Sequence, residues 1–208
     1  MTVDGTSPAA APKRGRPRSE KARHAILEAA AELLLSRGLG AVSMDAVADT
    51  ARVSKATIYR WWPSKEMLAL DALLDWAGTS APARDTGTLR GDLLALVRPW
   101  VREIRRQPFG RVIAALVTEA HSDPQFADAY RTRFVEPRRE AMRAAFARAI
   151  ERGEAPADLE IEVAVDLIYG PLYHRLLHGH APLSAPFGQA VVDMALAGIV
   201  NPSSRAGD

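Results

Sequence analysis

The sequence predicts an all-α fold of about nine helices, split into a small N-terminal unit and a larger C-terminal one. Three observations predict it. Apolar residues recur at spacings of three and four along almost the whole chain. No segment shows the sustained alternation of a half-buried strand. Serine, glycine and proline fall where helices should start and stop.

Taken in order, residues 1–18 are rich in Pro, Ala, Gly and Arg without periodicity and read as a disordered basic arm. A first helix follows, with Ile26, Ala30, Leu33 and Leu34 on one face and Gly38 as its stop. Ser43 caps a short helix near Asp45–Ala51, and Ser54 caps a third over about Lys55–Trp62. Pro63 ends that helix, and Ser64 caps a fourth running toward Trp76. The Gly, Pro, Ser and Thr residues from Gly78 to Gly87 mark a boundary between an N-terminal domain, 19–77, and a C-terminal domain, 88–200. Residues 201–208 read as a disordered tail.

Within the second domain, Leu89, Leu93, Val97, Trp100 and Ile104 form one apolar stripe, and Val112, Ile113, Leu116 and Val117 another. Phe126, Tyr130, Phe134, Met142, Phe146 and Ile150 mark a long helix bent near Pro137. Asp158 is expected to cap a further helix, broken or kinked at Gly170–Pro171. A last helix covers about Pro186–Ile199.

Composition narrows the function. The chain of 208 residues has no cysteine, which excludes disulfides, zinc–thiolate sites and cysteine nucleophiles. No apolar run is long enough for a membrane span and the N-terminus lacks a signal-peptide core, so no membrane partner and a cytoplasmic location are expected. The net charge of +2 hides an asymmetry: from Lys13 to Lys65, 11 Lys/Arg face 5 Asp/Glu, a balance of +6, and the remainder carries −4. A basic end on a mildly acidic body suits a protein that meets a polyanion at one end.

Between Ser43 and Trp62, two short helices joined by a tight turn carry Val47, Ala48, Val53, Ile58 and Trp62 as their apolar set. With Ile58 facing inward, Ala56, Thr57, Tyr59 and Arg60 point outward and Lys55 lies at the edge. An open helix face with hydroxyls, an arginine and a small residue is what major-groove reading requires. Lys55 and Lys65 each follow a capping serine, at the positive pole of a helix. A cation there opposes the helix dipole, which makes sense if an anion such as a DNA phosphate binds at that spot.

The stretch Ser43-Met-Asp-Ala-Val-Ala-Asp-Thr-Ala-Arg-Val-Ser-Lys-Ala-Thr-Ile-Tyr-Arg-Trp-Trp-Pro-Ser-Lys-Glu66 resembles the DNA-binding signature of the TetR family of repressors. The resemblance covers roughly residues 20–70, and Gly170-Pro-Leu-Tyr-His-Arg-Leu-Leu177 is a local likeness further on. It implies a homodimer, repression at a double-stranded operator, and relief by a small-molecule effector. Carried over by position, it makes Ser43, Lys55, Thr57, Tyr59, Arg60 and Lys65 the DNA-contacting set. One departure is Arg52, where the family commonly has glycine; a left-handed backbone there would be strained, so the turn is expected to differ slightly or Arg52 to add a phosphate contact. In the arm, Arg14-Gly15-Arg16-Pro17-Arg18 resembles an AT-hook core, with Arg16 and Arg18 suited to a narrow minor groove if the backbone is extended.

The C-terminal domain should hold the effector. Trp100, Phe109, Phe126, Tyr130, Phe134 and Tyr169 are the candidate walls of an apolar pocket between helices. The helices near Glu160–Gly179 and Pro186–Ile199 should pair with their symmetry mates, with Val191, Val192 and Ile199 at the centre of the interface. Other signals are discounted. His174 and His178 share a helix face but lack a carboxylate at ligand spacing, so no metal is expected. His121-Ser122-Asp123 are chain neighbours and cannot form a catalytic relay. No phosphate-binding glycine loop or dinucleotide fingerprint occurs, so no cofactor and no enzymatic activity are expected.

Overall fold

A computed structural model describes residues 16–78, 84–106 and 108–200. Its helices are α1 (Arg16–Arg37), α2 (Met44–Ala51), α3 (Lys55–Tyr59), α4 (Lys65–Ala77), α5 (Leu89–Arg105), α6 (Phe109–Ser122), α7 (Pro124–Tyr130), α8 (Glu136–Glu151), α9 (Ile161–His178) and α10 (Ala185–Val200). A π-helical segment, Arg131–Val135, joins α7 to α8 without a break. Counting that continuous rod once gives nine helices among the described residues, and no strand occurs there.

The helix starts follow the side-chain chemistry. Ser43 Oγ accepts from the Ala46 amide at 3.1 Å, Ser54 Oγ from Thr57 at 3.3 Å, and Ser64 Oγ from Met67 at 3.2 Å. Thr88 and Asp123 cap α5 and α7 in the same way. Each bond satisfies an amide that the helix itself leaves unpaired. Gly38, at φ +85°, turns the chain out of α1 in a conformation that side chains resist.

In the N-terminal domain α1 packs against α2 and, most extensively, α4. Ile26, Ala30, Leu34, Val47, Ile58, Leu68 and Leu70 are fully enclosed there. In the C-terminal domain α10 and α8 lie on α5, while α6 sits against α7. The π turn stands directly before Pro137. A proline ring clashes with the carbonyl four residues back, here Arg133, and widening the turn relieves that clash.

Four expectations need correction. The stretch 1–18 is not wholly an arm, because α1 begins at Arg16. Pro17 is tolerated in a first turn, where its missing amide proton would be unpaired anyway. The helical backbone at Arg16–Arg18 is also not the extended one that the minor-groove reading assumed; Arg14, Gly15 and the tail 201–208 lie outside the described residues. Asp158 does not cap α9, which starts at Ile161 with Glu160 preceding it and no side-chain cap. Of the two alternatives at Gly170–Pro171, a break or a kink, the break does not occur, since α9 runs through Pro171 to His178.

Candidate nucleic-acid interface and internal cavity

The α2–turn–α3 unit is held by what it buries. Val47, Ile58 and Trp62 lose essentially all exposure, at 0%, 0% and 3%, so α3 is fixed in rotation. The opposite side then faces solvent: Ala56, Tyr59 and Arg60 are exposed, and Thr57 is partly so, its hydroxyl 2.9 Å from that of Ser54. Ser43 is exposed as well, its Oγ occupied by the α2 cap. The six DNA-contact candidates, Ser43, Lys55, Thr57, Tyr59, Arg60 and Lys65, therefore include one whose hydroxyl caps a helix, Ser43, and one whose hydroxyl bonds a capping serine, Thr57.

Lys55 departs from the reading that an unneutralised cation sits at a helix start. Its Nζ is 2.9 Å from Asp45 Oδ1 on α2, and that hydrogen bond and charge hold the ammonium pKa above its usual value. The anion that compensates the helix pole is thus internal. Both groups are well exposed, so a phosphate can compete for the lysine at little cost. Lys65 approaches Glu66 only to 3.7 Å.

Arg52 adopts φ 54°, ψ 46°, the left-handed region, as the C-cap of α2. The turn is therefore kept despite the side chain, contrary to the expectation that it would differ. An L-residue pays for that conformation where glycine does not. Arg52→Gly should raise the unfolding free energy by about 1 kcal/mol, read as a higher urea midpoint at unchanged slope. A lower midpoint would show that the arginine side chain outweighs the strain.

Three groups outside the predicted set tie this unit to the rest of the chain. The Trp62 indole Nε1 donates to Asp71 Oδ2 on α4 at 2.8 Å. The other oxygen of Asp71 accepts from Arg133 in the π segment. Arg23 of α1 lies 5.9 and 5.7 Å from the ring centroids of Trp61 and Trp62. Asp71 therefore touches both the end of the outward-facing helix and the rod that bears Tyr130, Phe134 and Arg138.

That rod flanks a partly open cavity of about 280 Å³, whose lining includes Ala77 and Gly78 at the end of α4, Trp100, Phe109, Arg138 and Tyr169. Three of the six predicted wall residues are there: Trp100, Phe109 and Tyr169. Phe126, Tyr130 and Phe134 are not among its lining. They form a stack along the helix, with ring centroids 6.2 and 5.1 Å apart, and belong to the core. Arg102, Glu103 and Arg138 also line the cavity and were not expected. His174 has ring centroids 4.6 Å from His178 and 4.9 Å from His180, and no group of three metal-ligating side chains suited to an ion occurs among the described residues.

The predicted dimer residues divide. Val192 is 0% exposed and faces its own protomer. It follows by one turn Gly188, where an added Cβ would stand 3.1 Å from both Val97 and Val101 of α5. Val192 therefore cannot be the centre of an interface. Val191 and Ile199 do line an apolar groove of about 550 Å³ between α9 and α10, together with the exposed Val163, Leu167 and Met194. No described helix is long and apolar enough to cross a membrane.

Comparison with known proteins agrees with this architecture. Residues 26–72 match the family described as bacterial regulatory proteins, tetR family, and residues 83–195 match the tetracyclin repressor-like C-terminal domain. The chain is 42% identical over 165 residues to the uncharacterised HTH-type transcriptional regulator YdeS of Bacillus subtilis, covering 79% of this chain and 83% of that one. It is 34% identical over 190 residues to the DNA-binding transcriptional repressor TetR of Mycobacteroides abscessus, covering 90% and 98%. Among solved structures it is similar to the TetR family transcription regulator SCO0332, with a TM-score of 0.74 and 36% identity over 87% of this chain and 100% of that one. These matches are to regulators and not to enzymes, and they span both domains: the chain belongs to the TetR family of transcriptional regulators.

Proposed function

We propose that the protein is a repressor that binds a pseudo-palindromic operator as a homodimer and releases it when a small apolar or amphipathic effector enters the C-terminal cavity. The observation that carries DNA binding is the fixed rotation of α3, with Ile58 and Trp62 buried and Tyr59, Arg60 and Lys55 turned to solvent. Thr57, Tyr59 and Arg60 read base edges, while Lys55, Lys65 and the N-terminal amides of α2 behind Ser43 hold phosphates. Arg16 and Arg18 approach the duplex from the first turn of α1.

Induction works through α4. Its last residue, Ala77, and the following Gly78 form part of the cavity wall, and Asp71 at its middle holds Trp62. An effector that displaces the end of α4 moves the two heads of the dimer away from the spacing of one or more DNA turns, ~34–36 Å each, that paired half-sites require. The effector shifts the balance only by its differential affinity for the two states, typically ~1–3 kcal/mol of coupling.

The test is selection of bound duplexes from a random pool, followed by salt titrations on the enriched site. A two-fold symmetric site should emerge. Arg60→Ala should cost ~1–3 kcal/mol on that site and relax one position in each half. Lys65→Ala should weaken selected and random DNA alike and lower the salt slope by about one unit. Enrichment of no symmetric site would reject the reading, and an equal loss on all sequences for Arg60→Ala would move that residue to the phosphates.

A further inference from the structure

The arginines of α8 and its end are consistently neutralised, with one exception. Arg139 pairs with Glu162 and Asp166, Arg143 with Glu136, Glu140 and Glu162, Arg148 with Asp92, and Arg152 with Asp85 and Glu154. Arg138 has no carboxylate within ion-pair distance among the described residues. It is partly buried, its guanidinium carbon lies 3.8 Å from the Phe134 ring centroid, and the one hydrogen bond its side chain makes among the described residues runs to the Phe134 carbonyl at 2.6 Å. Tyr130, Tyr169 and Tyr173 are its other polar neighbours, and burial pushes the arginine's pKa down. A guanidinium has five donors, so most of these are left without a protein acceptor.

Of the buried polar atoms without a partner among the described residues, one belongs to a residue of the cavity wall. Trp100, 8% exposed, lines the cavity as Arg138 does, and its Nε1 is buried without a partner. Glu103 is the single carboxylate on the wall and is already engaged, 3.3 Å from Arg106 and 3.6 Å from Arg102. The unmet demand on the wall is thus for an acceptor, and specifically an anionic one, since a partly desolvated charge is costly until it is paired. Leu96, Pro99, Phe109 and Ala141 give the wall an apolar stretch, and Arg102 and Tyr169 are its other polar members. At about 280 Å³ the space is at the small end for ligand pockets, which run to ~300–1,000 Å³.

We propose that this cavity binds a small apolar organic acid, whose carboxylate is received by the Arg138 guanidinium. The fork of an arginine matches a carboxylate in two parallel hydrogen bonds. The apolar body of the acid lies against Phe109, Leu96 and Pro99. The proposal rests on the reading of this cavity as the effector site and names the class of effector.

The test is calorimetric titration of the full-length protein with butyrate, hexanoate, decanoate and 4-phenylbutyrate, each against its neutral amide, and with inorganic phosphate. At least one acid should bind, and roughly tenfold to a hundredfold more tightly than its amide, the worth of a hydrogen-bonded charge pair. Arg138→Met should bring that acid down to the level of its amide, while Arg138→Lys keeps part of the preference. The ligand-free Arg138→Met protein should melt no lower than wild type, because it loses an uncompensated charge. The acid and amide comparison on wild type decides the matter even if that variant folds poorly. Amides binding as tightly as acids would overturn the anion site and leave the effector cavity standing. No binding by any of the acids would overturn the proposal, and phosphate binding as tightly as the best acid would show a bare anion site with no place for an apolar body. None of these results bears on whether α3 reads DNA.

Discussion

Asp92→Ala should cost about 3 kcal/mol or more of unfolding free energy, seen as a large fall in urea midpoint at fixed protein concentration. Asp92 is the buried charged residue of the described core, 1% exposed in the first turn of α5. Its Oδ1 accepts from the Thr86 amide and hydroxyl, both at 2.7 Å, and its Oδ2 from Arg148 at 3.0 Å, with Arg152 at 3.6 Å. One carboxylate therefore ties the connection between the domains to α5 and to the end of α8. Removing it takes from Arg148 its carboxylate partner and sets it against Arg152, which keeps Asp85 and Glu154, and deletion of one partner is worse than never having had the pair. Burial acts against the charge, but the Thr86 donors and Arg148 outweigh it, and the folded carboxyl sits below its ordinary range. A carboxyl depressed in the folded state contributes its stability in full above the unfolded value of about 3.9 and loses it as pH falls through the lower folded value. The wild type should therefore lose this contribution only in acid below about pH 4, and the Asp92→Ala protein should lack that part of the acid transition. An unchanged midpoint would mean that Thr86, Arg148 and Arg152 find water as good a partner.

Short-range features were legible in the sequence because their causes are short-range. Ser43, Ser54 and Ser64 act on amides three residues away, and the burial of Val47 and Ile58 follows from helical spacing within one unit. The Asp71 junction was not legible: its partners are Trp62 and Arg133, 9 and 62 residues away, and nothing local to Asp71 requires either. Arg138 was missed because it sits in an arginine-rich helix that reads as a solvated face. A signal was present, since Tyr130, Phe134, Arg138 and Met142 are spaced by four, and the arginine continues an inward-facing stripe. The same stripe explains the error over Phe126, Tyr130 and Phe134. Aromatic residues at that spacing stack on one another along a helix side, and sequence cannot say whether the stack faces a cavity or a packed neighbour.

The second large effect concerns assembly, and it turns on which side of α10 is outward. The helix is apolar nearly all round, so spacing alone does not choose between Val192 and Met194. In the fold they lie on opposite sides: Val192 is enclosed, whereas Met194 is 77% exposed. Leu167 and Val163 of α9 are exposed at 52% and 57% beside the same groove. A two-fold interface presents each of these residues twice, to the same patch on the partner. Covering Met194 and Leu167 contributes about 1.5–2 kcal/mol per side chain, hence roughly 6 kcal/mol per dimer, which is half of the free energy of a nanomolar association. Glutamates at both positions remove that gain and set like charges against each other. Leu167→Glu/Met194→Glu should therefore sediment as a monomer at micromolar concentration with its helical circular dichroism intact. Since one head then engages one half-site, operator affinity should fall at least about a hundredfold, while affinity for random DNA falls far less. Val192→Glu should behave differently, burying an unpaired charge against α5 and lowering the unfolding midpoint or the soluble yield before any effect on assembly can be read. A double variant that remains a dimer would move the interface away from α9 and α10.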